Sequence, residues 1–160
     1  MISVSAIVTA GDVVRLAFAM QGDLARLRIP PARAPRRAEG LWRHTCFEAF
    51  VMANSGPGYR EFNFSPSGEW SMYAFRAYRD GEAMNTDSTP TIQVRTSPQR
   101  LELEAQLARV LLPPEPALRL GLSAVLEHSD GSLSYWALRH PPGQPDFHHA
   151  DGFAMQLALP

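Results

Sequence analysis

The chain has 160 residues, 45% hydrophobic and 19% charged, which is enough apolar material for one packed core and excludes disorder as its main state. Its formal net charge is -1, so no global attraction to nucleic acid or to an anionic membrane is expected. A single cysteine, Cys46, excludes an internal disulfide and a CxxC centre, and the opening MISVSAIVTAGDVVR lacks the basic start and long apolar run of a signal peptide or membrane helix; a cytoplasmic location is expected.

Short apolar runs recur between turn residues, and no window keeps a 3.6-residue apolar period. This pattern predicts a single all-β domain over residues 1–160, an antiparallel, jelly-roll-like β-sandwich of about eleven strands. In chain order the strands are expected at 2–8, 13–20, 24–29, 41–52, 59–65, 69–79, 91–96, 101–110, 118–128, 133–138 and 153–159. Turn signals such as NSGPG, SPSG and SDGS separate them, with Gly supplying positive φ. Two connections are longer. Residues 30–40 belong to an Arg-rich stretch, 26–43, with six arginines and Glu39 as its one acid; it offers a phosphate site, or simply a solvated loop. Residues 140–152 hold three of the five histidines.

Side chains on a strand alternate between faces, so WRHTCFEAF divides into Trp42, His44, Cys46, Glu48 and Phe50 against Arg43, Thr45, Phe47 and Ala49. A hairpin closed by NSGPG sets Glu48 opposite Asn63, Phe47 opposite Phe64 and Ala49 opposite Phe62. Continued through SPSG, the expected core face is Phe47, Ala49, Phe62, Phe64, Tyr73 and Phe75. The other face gathers Trp42, His44, Glu48, Glu61, Asn63, Trp70, Met72, Arg76 and Tyr78. Aromatic plates beside carboxylate, amide and guanidinium groups suit a polar, hydroxylated small molecule such as a sugar, the plainer alternative being a solvated sheet face. On that reading Arg76 is expected to pair with Glu61 or Glu48 in the empty site. Glu48 and Glu61 are diagonal neighbours, roughly 7–8 Å apart, which leaves glycoside hydrolysis as an alternative.

Near the end of the chain, an Asp130-Gly131 turn is expected to pair Ser129 with Ser132 and Val125 with Trp136, setting Trp136 on a face with Glu127 and Ser134. In the loop that follows, His140, Asp146, His148, His149 and Asp151 are metal-ligand types without a metal-binding spacing, and a hydrogen-bonded loop is expected. Cys46 is expected to be an inert, small apolar residue.

At LWRHTCFEAFV, YREFNFSPSGEW, LSYWALRHPPGQPDFHH and the closing DGF, the chain resembles the DOMON-like proteins, whose fold is similar to that of family 9 carbohydrate-binding modules. The resemblance implies an antiparallel β-sandwich that binds a sugar or, in some relatives, haem. It places Trp42 and Glu48 on the family's acidic-aromatic strand, Asn63 and Trp70 beside its Ser-Pro-Ser-Gly turn, and Trp136, His140 and His148 in the late segment. The expected function is non-catalytic binding of a sugar or sugar derivative, with no cofactor and no metal. A haem held by Met72 with His140 or His148 is the alternative.

Overall fold

The computed structural model describes residues 1–160 and contains no helix longer than a single 3-10 turn. Its strands are β1 (Ser3–Ala10), β2 (Val13–Gln21), β3 (Cys46–Ala53), β4 (Tyr59–Phe64), β5 (Trp70–Ala77), β6 (Asp80–Ala83), β7 (Thr91–Ser97), β8 (Arg100–Ala108), β9 (Ala117–Glu127), β10 (Leu133–Ala137) and β11 (Met155–Ala158). They form two antiparallel sheets. One has four strands in the order β1-β2-β8-β7; the other has seven, in the order β10-β9-β3-β4-β5-β6, with β11 pairing β9 beyond the end of β10.

The sandwich core lies between the sheets. In the smaller sheet, alternate residues of β2 (Val14, Leu16, Phe18, Met20) and β8 (Leu101, Leu103, Ala105, Leu107) point inward, and the intervening residues, Arg15, Glu102, Glu104 and Gln106 among them, lie on the less buried outer face. From the larger sheet come Phe47, Ala49 and Val51 on β3, Phe62 and Phe64 on β4, and Leu118, Leu120, Leu122 and Ala124 on β9. Phe18 and Phe47 stack across the gap, ring centres 5.0 Å apart. The β3–β4 register is the expected one, with Phe47 opposite Phe64, Glu48 opposite Asn63 and Ala49 opposite Phe62.

Two other hairpins differ from expectation by one residue. After β4, Ser65 N–H bonds Glu69 O at 2.9 Å, so Pro66, Ser67 and Gly68 form a three-residue loop with Gly68 at φ 92. Phe64 therefore pairs with Trp70 and Phe62 with Met72, while Glu61 pairs with Tyr73 and Tyr59 with Phe75. A one-residue slip moves every side chain to the opposite face. Trp70 and Met72 consequently lie in the core, and Tyr73 and Phe75 lie outside it. The second hairpin repeats the device: Ser129, Asp130 and Gly131, the last at φ 88, form the loop, and Trp136 pairs with Ala124 rather than Val125. Trp136 thus packs against the core, and Tyr135 takes the outer face opposite Val125.

Residues 24–29 are no strand. Leu24–Arg26 is a 3-10 turn stopped by Leu27, which makes an isolated bridge to His128. Leu41–Arg43 is a second such turn, so β3 begins only at Cys46 and Trp42 and His44 precede it. A short strand absent from the expected set, β6, pairs with β5 after a bulge between Phe75 and Ala77. The Arg-rich segment between these turns runs along the free half of the β5 edge, where Trp70 N–H bonds Arg36 O at 3.1 Å and Ala38 N–H bonds Trp70 O at 2.9 Å. An unpaired edge is thereby covered. Arg36 pairs with Glu69 at 2.8 Å, and the Arg37 guanidinium sits 4.9 Å above the Trp70 ring.

The outer face of the larger sheet is covered as well, which is why nearly every residue of β3 is buried. Residues 138–154 fold back over it. Phe153 stacks on Phe50 at 5.9 Å and meets the Tyr59 ring edge-on at 5.6 Å. Gly121 on β9 leaves room for this: a Cβ there would lie 2.8 Å from Phe153 Cδ1 and 3.1 Å from the Gly152 carbonyl oxygen.

Two stability measurements check this architecture. Phe64→Ala should cost about 3–5 kcal/mol in denaturant unfolding, because it empties a site closed on all sides. Gly121→Ala should cost about 1–3 kcal/mol, by displacing the covering segment rather than by leaving a cavity.

Candidate functional site

Where the covering segment ends, the outer face opens into a cavity of about 550 Å³. Glu48 and Glu61 lie at its floor. Its walls are Tyr73, Phe75, Val125 and Leu133, with Tyr135, Phe147, His148, Trp42, Arg43 and Arg79 completing the enclosure. Trp42 and Tyr135 are about two-fifths exposed, at 42% and 44%, so two aromatic rings stand at the mouth in contact with water. Phe147 meets Tyr135 edge-on at 5.9 Å, and His140 stacks behind it at 6.2 Å.

The floor is a polar row across four strands. Ser71, Asn63, Glu48 and Ser123 are direct cross-strand neighbours on β5, β4, β3 and β9, and none is more than 3% exposed. Both side-chain atoms of Asn63 and the hydroxyls of Ser71 and Ser123 lack a hydrogen-bond partner. Buried polar groups are normally satisfied, and unsatisfied ones gather at functional sites. Burial, reinforced by the nearby Glu61, pushes the Glu48 carboxyl well above the usual carboxylate range. Burial also pushes Glu61 up to about 7, against the pull of the neighbouring Asn63 amide and the Arg79 guanidinium.

His148 supports Glu61 from the covering segment. The Tyr59 hydroxyl accepts the Arg79 N–H at 3.0 Å, which leaves its own proton for His148 Nδ1 at 2.8 Å. The other ring nitrogen, Nε2, then lies 3.6 Å from Glu61 Oε2. Phe50 and Phe75 pack edge-on against the imidazole at 5.0 and 5.1 Å. Burial lowers its pKa to about 4, with Arg79 acting in the same direction, so the ring is neutral near pH 7. Arg79 occupies the two-residue turn between β5 and β6 with φ 55, a left-handed conformation costing a non-glycine residue about 1 kcal/mol. Its guanidinium pairs with Asp146 at 2.9 Å, and the Tyr78 hydroxyl donates to the same carboxylate. Tyr73, pushed up to about 12 by burial and by Glu39, donates to Glu39 Oε2 at 2.6 Å.

The structure brings Trp42, Glu48 and Glu61 to the cavity, with Asn63 beneath it in the polar row. The other expected site residues lie elsewhere. His44, outside β3, bonds Glu127 at 2.7 Å beside Arg28. The register slips carry Trp70 and Trp136 to the core. Arg76 follows the bulge into solvent and pairs with Asp80 at 2.9 Å, not with Glu48 or Glu61. Tyr78 and His140 act behind the cavity, through Asp146 and Phe147. Tyr73 and Phe75, expected in the core, line the cavity together with Tyr135, Arg79, Phe147 and Val125, which carry no site signal in the sequence. His148 enters the sequence reading only as one of the metal-ligand types of a hydrogen-bonded loop and as an alternative haem ligand. Met72 is on the core side and both His140 and His148 are on the outer side, so the sheet separates the proposed axial pair. The loop acids and histidines form no cluster of three potential metal ligands; His149 accepts from Asp151 N–H, and Asp146 is engaged as above. Cys46 is fully buried, and burial followed by the Glu48 charge raises its thiol well above the ordinary range.

No protein-family model and no curated protein matches the sequence. Solved structures do resemble it. A candidate carbohydrate-binding protein from Bacteroides uniformis superposes with a TM-score of 0.71 at 13% identity, over 99% of this chain and 79% of that one. A family 9 carbohydrate-binding module from Caldicellulosiruptor kristjanssonii, in complex with glucose, gives 0.59 at 10% identity over 99% and 77%. A family 9 module from the same organism, in complex with cellotriose, gives 0.61 at 11% over 99% and 75%. Identities this low speak for fold alone. The chain has the β-sandwich fold of these carbohydrate-binding proteins.

Proposed function

We propose that the cavity over Glu48 and Glu61 binds a small hydroxylated molecule, a sugar or sugar derivative, without transforming it. The observation that carries this reading is the join of an aromatic mouth to a buried, unsatisfied polar floor. Sugar CH faces lie well against rings such as Trp42 and Tyr135, and hydroxyls can meet the carboxyls of Glu48 and Glu61, beneath which Asn63 and Ser123 are unpaired. The structural neighbours support it, since two family 9 module structures of this fold hold glucose and cellotriose respectively. A hydrolytic use of the paired carboxyls is the weaker reading, because retaining chemistry needs one acid ionised as nucleophile and burial drives both toward the neutral form.

A thermal-shift screen of neutral sugars, amino sugars and sugar phosphates tests the proposal. A ligand at a hundred times its dissociation constant should stabilise the fold by about 2.7 kcal/mol. The shift should vanish in Trp42→Ala and Tyr135→Ala, whose exposed rings contribute little to folding. A hit unaffected by both substitutions places binding elsewhere, and a hit consumed over hours makes the protein an enzyme.

The state of the floor is tested by pH. Because the folded pKa of Glu61 lies above its unfolded value, its stabilising effect is complete below about pH 4.5 and is lost as pH rises to about 7. Glu61→Gln imitates the neutral acid. It should match wild type near pH 4.5 and exceed it above pH 7 by an amount on the order of 3 kcal/mol. His148 works in the opposite sense, losing stability as pH falls from about 6.5 to 4, and cancels in the comparison. Equal stabilities at every pH would show that Glu61 titrates as an ordinary surface acid.

A further inference from the structure

Glu48 is only 3% exposed and lines the cavity, yet it makes no hydrogen bond and no ion pair. Glu61, 6% exposed, faces only neutral partners, the His148 imidazole at 3.6 Å and the Asn63 amide. Every group facing the two acids leaves them without a cation. On β3 and β9 the neighbours are Cys46 and Ser123; on β4 and β5 they are Tyr59, Asn63, Ser71 and Tyr73. Of the arginines at the cavity, Arg79 is taken by Asp146, and Arg43 lies over the Trp42 ring at 5.8 Å; neither comes within 4 Å of either carboxyl. Two buried acids side by side are costly unless protonated or matched by a positive group, and the chain supplies none.

Resting on the proposed binding role of this cavity, we propose that its ligand carries the missing charge: it is a hydroxylated primary amine, an amino sugar, whose ammonium sits between Glu48 and Glu61. An ammonium has three donors and no acceptor, which suits two acceptor-only carboxylates with the unpartnered Asn63 Oδ1 buried beneath them. Tyr73 and Phe75 line the wall, and aromatic rings attract a cation in a way that a neutral sugar does not gain. Entry of the cation favours the ionised form of both acids, so binding releases to the buffer protons that Glu48 and Glu61 hold in the empty site.

Calorimetric titration of glucosamine, glucose and N-acetylglucosamine at about pH 6.5, in two buffers of different ionisation heat, tests this. Glucosamine should bind at least about tenfold more tightly than N-acetylglucosamine, with proton release seen as a buffer-dependent heat. At this pH Glu61→Gln should melt no lower than wild type and lose most of that preference, since the amide cannot ionise. Equal affinity of wild type for glucosamine and the two neutral sugars, abolished by Tyr135→Ala, would overturn the cationic ligand and leave the cavity as a sugar site. Binding of none of the three, or binding that Tyr135→Ala leaves intact, would overturn the binding role of the cavity together with this inference.

Discussion

Half of the outer face of the larger sheet is as apolar as a core. Phe50, Met52, Tyr59 and Phe75 form a second hydrophobic cluster that cannot be left in water, and residues 138–154 cover it by seating Phe153 and His148 among those rings. The other half of that face is polar, and the cover stops at the boundary. The cavity is therefore the uncovered remainder of a sheet face, with walls supplied by the segment that protects the apolar half. Folding stability and the shape of the site share one set of contacts, and a change under Phe153 is felt at Phe147.

The same segment sets the electrostatics. By bringing a neutral imidazole rather than a cation to Glu61, and by directing Arg79 to Asp146, it leaves the acids of the floor uncompensated. Arg79 holds its turn in a conformation more natural to glycine, and the Tyr59 hydroxyl and Asp146 carboxylate retain it there. Such pre-organisation holds side chains at fixed places before any ligand arrives, which lowers the entropic cost of binding.

The sandwich class was legible because apolar alternation in β2 and β8 and the facing phenylalanines of β3 and β4 can be read from composition and spacing alone. The β3–β4 register followed from matching Phe47 and Ala49 to Phe64 and Phe62, since any odd slip would have buried Glu61 in the core. The same reasoning failed twice at hairpins whose loops hold three residues. Gly68 and Gly131 each take a positive φ as the last loop residue, and neither SPSG nor SDGS reveals in advance whether the glycine stands second or third in its loop. Both misplaced tryptophans, Trp70 and Trp136, trace to that single residue of length. Arg79 and Phe147 were hidden for a different reason: they reach the cavity from a turn and a covering segment, where strand periodicity has no bearing.

Cys46 stands at the start of β3 on the floor side, fully buried, with its thiolate disfavoured by burial and by Glu48. As the sole thiol in the chain, it reacts with an alkylating reagent only when the outer face opens. Its labelling rate is thus a clock for that local opening, read without any engineered probe. When reclosing outpaces the chemistry, the rate reports how often the floor is bare, and an occupant of the cavity would slow the clock in proportion to its occupancy.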